Sequence, residues 1–310
     1  MKYTSLIIAL ISCLAMGILV SQEAPKTDKK KIVFLTADDT RHASGTHEFQ
    51  AGAILLKNSL ESSVFKEQLE IQLVNNWPVD SSVFDDADMI IHYYGGNKWH
   101  LMNENSAQFQ KLSDAGVSQM FMHYAVDPDD DREASLINWT GGAYKDKDST
   151  NPHWLLKSQL EKHIINSGVV KYESYDEWYT CIDFREGIEV DYEGPLEKEK
   201  TYSVMHGDAT EYLKSKRVKK QFREKTTPEN LTVMWAKERE NGARGIGLTG
   251  GHYHKNWAND NFRMQVLNSI IWGLKMEVPI EGVKSPEITE EEINANLDPA
   301  KKGGLKKIKL

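Results

Sequence analysis

Imidazole is suited both to proton transfer near neutral pH and to metal ligation, and this chain carries ten histidines. Their placement matters more than their number. His42 and His47 fall between a β-branched run at 31–35 (KIVFL) and an apolar-periodic stretch that opens at Phe49. His123 directly follows the apolar run 117–122. His252 and His254 stand in Thr249-Gly250-Gly251-His252-Tyr253-His254, a Gly-Gly loop after the run 244–249. Two histidines in such a loop rarely arise for packing alone. The chemistry offered is general acid or base catalysis by one of His47, His123 and His252, with the others orienting a ligand or holding a divalent metal. The ligands of such a metal would come from His47, His123, His252 and His254. Elsewhere the plainer reading holds: His92 lies inside an apolar run as a hydrogen-bonded core residue, and His100, His163 and His206 sit in polar stretches that suit a surface.

Carboxylates and aromatics flank these positions. Asp38 and Asp39 are open to two readings, as ligands or acid/base groups and as loop or cap residues. Asp176 and Glu177, ahead of Trp178, stand equally open. Trp77, Trp154, Trp178 and Trp257 offer stacking platforms for a sugar or else belong to the core. The candidate substrate-binding set is therefore His254, Trp257, Asp38, Glu177 and Trp178. No Gly-x-Gly-x-x-Gly or Gly-x-x-x-x-Gly-Lys-Ser/Thr run is present to cradle nucleotide phosphates, and no Gly-x-Ser-x-Gly elbow.

The elements that must position these residues follow from hydrophobic period. Runs at 31–35, 70–74, 88–94 and 117–122 read as strands. Between them, Phe49, Ala53, Leu56, Leu60 and Val64 share one helical face, and a second helix is expected at 106–115, stopped by Gly116. Alternating strands and helices imply crossovers and a mostly parallel sheet with helices on both faces. In such a sheet the crevice beyond the carboxyl ends of the strands binds ligands, and His47, His123 and His252 would all be delivered there. In the second half, 176–184 has strand-like aromatics. The runs 231–236 and 244–249 flank Asn241-Gly242, a hairpin signal, and a last helix spans 260–274.

Composition excludes some partners. A net charge of −8 argues against non-specific nucleic-acid binding, which needs a basic face. Lys301, Lys302, Lys306, Lys307 and Lys309 cluster in a Gly-containing tail, 284–310, expected to be solvated and loosely packed. At the other end Lys2 precedes an apolar run, 6–20, too short for a membrane span, and 1–22 reads as a secretory signal peptide followed by a linker, 23–29. The expected location is periplasmic or extracellular. Leu10-Ile11-Ser12-Cys13 resembles a lipoprotein box, and membrane anchorage would arise only through a lipidated Cys13. A mature chain keeps Cys181 alone, read as a buried thiol in a strand, and so has no internal disulfide.

Five segments carry a resemblance to a known family: Thr46-His47-Glu48-Phe49-Gln50-Ala51-Gly52, Met122-His123-Tyr124-Ala125, Asn151-Pro152-His153-Trp154, Asp176-Glu177-Trp178-Tyr179, and Gly250-Gly251-His252-Tyr253-His254-Lys255-Asn256-Trp257. In this order they resemble the ThuA-like (trehalose-utilisation) family over 30–283. The resemblance implies an α/β fold of the class I glutamine amidotransferase type, a flavodoxin-like three-layer sandwich, with an added β-rich segment in the second half. In amidotransferases a nucleophilic cysteine occupies the turn after a central strand. His123 stands at the comparable place here and cannot form a thioester, so glutamine hydrolysis by that route is not expected. The family name implies a carbohydrate ligand, a disaccharide or 3-keto-glycoside. Two functions follow: a hydrolase, lyase or isomerase acting on that sugar, or a sugar-binding domain without catalysis.

Overall fold

The computed structural model describes residues 29–310. The signal-peptide reading of 1–22 and the lipid-anchor reading of Cys13 lie outside the described residues. In strand β1 (Lys30–Thr36) Ile32 and Phe34 face one core while Val33 and Leu35 face another. That two-residue alternation between two apolar layers marks a strand covered on both sides. Strands β3 (Met89–Tyr93) and β4 (Ser118–Met122) are buried along their whole length. Helices α1 (Phe49–Glu61) and α5 (Asp260–Gly273) cover the first face with Leu56, Leu60, Val266 and Ile270. On the second face lie α2 (Met102–Asp114) and α3 (Glu133–Thr140), through Phe109, Leu112, Leu136 and Trp139. The result is a three-layer α/β sandwich. Val64, expected on the apolar face of α1, lies beyond its end and is 76% exposed.

Strands β2 (Leu69–Asn75), β5 (His153–Leu160), β6 (Glu173–Glu177), β7 (Thr201–Gly207), β8 (Thr232–Glu238) and β9 (Arg244–Leu248) complete one sheet. Its nine strands run β2-β1-β3-β4-β9-β8-β7-β5-β6. The first five places follow the flavodoxin order and pair in parallel. Beyond β9 every pairing is antiparallel. The expected mostly parallel sheet is therefore corrected to a mixed one, which the strands of the second half extend. The Asn241-Gly242 turn shows why: a connection this short cannot cross over, so β8 and β9 must form a hairpin. Only the start of the aromatic run 176–184 is strand. Cys181 is buried but lies beyond β6, in a loop at φ +56°. Helix α4 (Ala209–Lys214) packs on β5.

Four antiparallel steps separate β9 from β6, so the two strands run in the same direction and end at the same sheet edge. Four strand spacings amount to about 19 Å. Yet the Asp176 carboxylate accepts the backbone N–H groups of Gly251 (2.8 Å) and Tyr253 (3.0 Å) beyond the end of β9. The sheet coils back on itself and brings its last strand over the ends of the central ones.

The segment 284–310 does not pack loosely. It carries a short helix, α6 (Glu290–Asn294), with a Thr289/Glu292 capping box and a fully buried Ile293. Lys302 bridges to Ala43, and Lys301 is 3% exposed. Among the described residues no helix is long and apolar enough to cross a membrane.

Candidate metal centre

Three strand ends and one coiled-over strand deliver four side chains to one point. His47 comes from the loop between β1 and α1, His123 follows β4, and His252 follows β9 through Gly250-Gly251. Glu177 is the last residue of β6. His47 and His123 both adopt left-handed backbone, at φ +51° and +52°. Histidine enters this region more readily than most residues, but such a conformation costs about 1–3 kcal/mol and persists where the surroundings enforce it.

The ligand atoms crowd together. His47 Nε2 lies 2.8 Å from His252 Nδ1 and 3.1 Å from His123 Nε2. Glu177 Oε2 lies 3.1 Å from His252 Nδ1 and 3.7 Å from His123 Nε2. Four donors held about 2.0–2.1 Å from one ion at tetrahedral angles would stand about 3.3–3.4 Å apart. The four observed separations bracket that value.

Outer partners orient two of the rings. His47 Nδ1 is 3.1 Å from the Asp39 carboxylate and His123 Nδ1 is 2.9 Å from the Thr249 carbonyl. A carboxylate and a carbonyl only accept, so both Nδ1 atoms donate and both Nε2 atoms present lone pairs inward. Burial holds the His123 imidazole down to about 3, with the His252 ring adding to the effect, and His47 well below its ordinary value. His252 is lowered to about 4, chiefly by burial. Protons are poor occupants of this centre. Burial alone would raise Asp39, but hydrogen bonds from His42 and His47 reverse this and hold it far below the usual carboxylate range. Arg41 completes the Asp39 contacts at 2.9 Å. Asp39, His42 and His47 form a second group with converging ligand atoms, sharing His47 with the first.

A cleft of about 260 Å³ opens beside the centre, lined by His42, His47, Tyr124, Asp127, Tyr144 and Glu177 among others. Burial raises the Glu177 carboxyl, opposed by the nearby His123 and His153 rings. Asp127 is pushed up to about 8 by burial and by Asp146 and Asp130, so it keeps its proton at neutral pH. His153 Nε2 stands 3.5 Å from Glu177 Oε1, which also accepts the Asn151 amide at 3.1 Å.

Of the residues singled out in the sequence, His47, His123, His252 and Glu177 come together. Of the eight candidate catalytic and substrate-binding residues, the other four do not. His254 is fully buried in a turn packed against α6 and is not among the converging ligands. Trp257 is core, stacked on Phe262 with centroids 5.0 Å apart. Trp178 is core too, its Nε1 donating to the Ser174 carbonyl at 3.1 Å. Asp38 is exposed and its carboxylate takes amide hydrogens from Asn75 and Asn76, which hold it below its ordinary value. As corrections to the surface reading, His100 and His163 are buried. His92 is hydrogen-bonded core as expected, 3.1 Å from the Gln119 side-chain oxygen. Sequence reasoning did not find Asp127 or the cleft tyrosines Tyr124, Tyr144 and Tyr179. Tyr124 and Tyr179 stand in segments that carry the family resemblance, but neither those segments nor the surroundings of Asp127 and Tyr144 signal a shared cleft, because three separate segments meet there.

No protein-family model and no curated protein matches the chain by sequence. Solved structures do match its fold. A ThuA-like protein from Bacteroides uniformis superposes with a TM-score of 0.56 at 14% identity, over 81% of this chain and 94% of that one. A second, from Parabacteroides merdae, gives 0.52 at 14% identity, over 83% and 98%. The nine-stranded α/β architecture around the centre is a ThuA-like fold.

Proposed function

We propose that this chain is a metal-dependent enzyme acting on a carbohydrate, with His47, His123 and His252 as the fixed ligands of one divalent ion. The observation that carries this reading is the meeting of two inward lone pairs, His47 Nε2 and His123 Nε2, at 3.1 Å. Three imidazole nitrogens and a carboxylate are a donor set that would suit Zn²⁺. A bound ion of this kind supplies Lewis acidity to a substrate oxygen and lowers the pKa of bound water.

The chain's own groups then divide the work. Glu177 would complete the donor set, and because it also lines the cleft its carboxylate is placed to take a proton from water or from the carbon beside a ketone. Asp127, protonated at neutral pH, returns a proton to a departing or developing oxygen. Tyr124, Tyr144 and Tyr179, with Asn97 and Asn151, line the cleft with neutral hydrogen-bonding groups that fit sugar hydroxyls. A keto-sugar or disaccharide is the proposed substrate class, supported by this lining. Export to the periplasm or beyond is proposed from the apolar run 6–20, and N-terminal sequencing of the native protein checks it.

The test is turnover of 3-keto-glycosides and disaccharides by Zn²⁺-loaded and chelator-stripped protein. Turnover only in the loaded form supports the proposal. Saturable sugar binding without turnover would reduce the protein to a binding domain, and no metal binding at all would remove the proposal's basis.

A further inference from the structure

The lysine-rich end of the chain, solvated by its composition, lies against the back of the metal centre. Lys301 Nζ donates to the Asp39 carbonyl and to the His47 carbonyl, each at 2.7 Å. These are the two residues whose side chains form the Asp39–His47 pair behind the centre. The neighbouring contacts land on the same loop. Lys302 N–H donates to the His42 carbonyl at 3.1 Å, and Asp298 N–H to Glu48 Oε2 at 3.0 Å. Lys306 N–H donates to Ser44 Oγ at 3.1 Å.

A buried ammonium is costly unless charge and hydrogen bonds compensate it. Here burial lowers the Lys301 pKa, while Glu48, Asp39 and Asp298 favour the charged form. The loop 37–48 has little regular structure of its own, and His47 sits in it at a left-handed backbone position. The His47 N–H donates to the His252 carbonyl and the Gly45 carbonyl accepts from the His254 N–H, each at 3.0 Å, and Lys301 supplies the partner for the Asp39 and His47 carbonyls at the two ends of the loop.

We infer that the segment 284–310 is a strap that sets the metal affinity of the centre, with Lys301 as its positioning residue. This rests on the proposed metal site. Lys301 touches neither the ion nor the substrate: it acts through the main chain of His47 and Asp39. Groups outside the ligand set commonly alter metal affinity about 10–100-fold. Coupling is reciprocal, so metal binding must tighten the strap by the same factor that the strap tightens metal binding.

The experiment uses the full chain and Zn²⁺ alone, titrated against a competing chelator, in wild type and Lys301→Met. The variant is expected to bind Zn²⁺ at least 10-fold more weakly, and Co²⁺ bound in its place should show altered visible d–d bands. A purely structural lysine would lower the melting temperature of the stripped protein while leaving the Co²⁺ spectrum unchanged. Because Lys301→Met can fail to fold, hydrogen exchange on wild type provides a second reading. Zn²⁺ should slow exchange at the Asp298 and Lys302 amides more than at amides of α2, on the opposite face of the sheet from the strap. Equal Zn²⁺ affinity in a folded variant, or unchanged exchange in wild type that does bind Zn²⁺, overturns the strap. Failure of wild type to bind Zn²⁺ would instead overturn the metal site.

Discussion

His47 Nε2 and His123 Nε2 face one another at 3.1 Å while the Nδ1 of each ring is committed to an acceptor, Asp39 for one and the Thr249 carbonyl for the other. Two lone pairs at hydrogen-bond distance repel unless a cation lies between them. Burial opposes protonation of either ring, and the proposed divalent ion would relieve the repulsion. Adding Zn²⁺ at about 100 times its Kd should stabilise the stripped protein by about 2.7 kcal/mol. At about 2–4 °C per kcal/mol for a chain near this size, the melting temperature should rise by several degrees. Differential scanning fluorimetry with and without chelator checks this, and an unchanged melting temperature counts against the site.

Asp39 orients His47 through Nδ1 without being a required ligand. Asp39→Asn keeps the size and removes the charge, and its amide nitrogen can face the imidazole N–H with the wrong polarity. Zn²⁺ affinity is expected to fall about 10–100-fold. Competition titration measures it, and wild-type affinity in this variant would mean that the Asp39–His47 contact does not fix the ring.

Much of this site was legible because strand ends are legible. The runs at 31–35, 88–94 and 117–122 are strands that end where their apolar pattern ends, which places His123 at the sheet edge. The same alternation could not resolve the Gly250-Gly251 loop. Gly251 takes φ +111°, and a turn begins at His254, so His252 and His254 point to different places although two residues apart. Glu177 and Trp178 are divided by the end of β6, one to the centre and one to the core. The coil of the sheet that brings β6 over β9 depends on side-chain packing far apart in sequence and leaves no local mark. Composition read most of the tail's lysines correctly, since Lys302, Lys306, Lys307 and Lys309 are exposed, yet the two carbonyls at the ends of one loop draw Lys301 inside.

Gly250 is small because Trp178 needs the room. A Cβ on Gly250 would stand 2.1 Å from a ring carbon of Trp178, a fully buried side chain with no slack. Gly250→Ala should destabilise by about 1–3 kcal/mol through overpacking and displace His252 as the loop yields. Thermal melts and Zn²⁺ titration together should show both losses. A melting temperature and affinity equal to wild type would place the loop elsewhere.

Buried neutral histidines make the fold sensitive to acid. His163 is held down to about 3 and His100 to about 4, in each case mainly by burial. Their unfolded forms take up a proton below about 6.5 while the folded forms do not. The unfolded state therefore binds more protons, and stability falls as pH drops from about 6.5 towards those folded values. Each such group adds a slope approaching about 1.4 kcal/mol per pH unit within that window. Urea unfolding at pH 7, 6 and 5 should show the decline. In His163→Asn, which keeps a side chain able to accept from the Ile165 N–H that His163 Nδ1 now caps at 3.2 Å, the slope should drop by about one proton. An unchanged slope would mean that His163 titrates normally in the folded protein.

Three imidazoles and Glu177 would enclose one divalent ion, and elemental analysis reads that ion out. Purified full chain, stripped and then reloaded with Zn²⁺ before desalting, should retain one ion per chain. His123→Ala and His252→Ala, still folded by circular dichroism, should retain far less. Wild type that retains no ion, or variants that retain as much as wild type, would contradict the account.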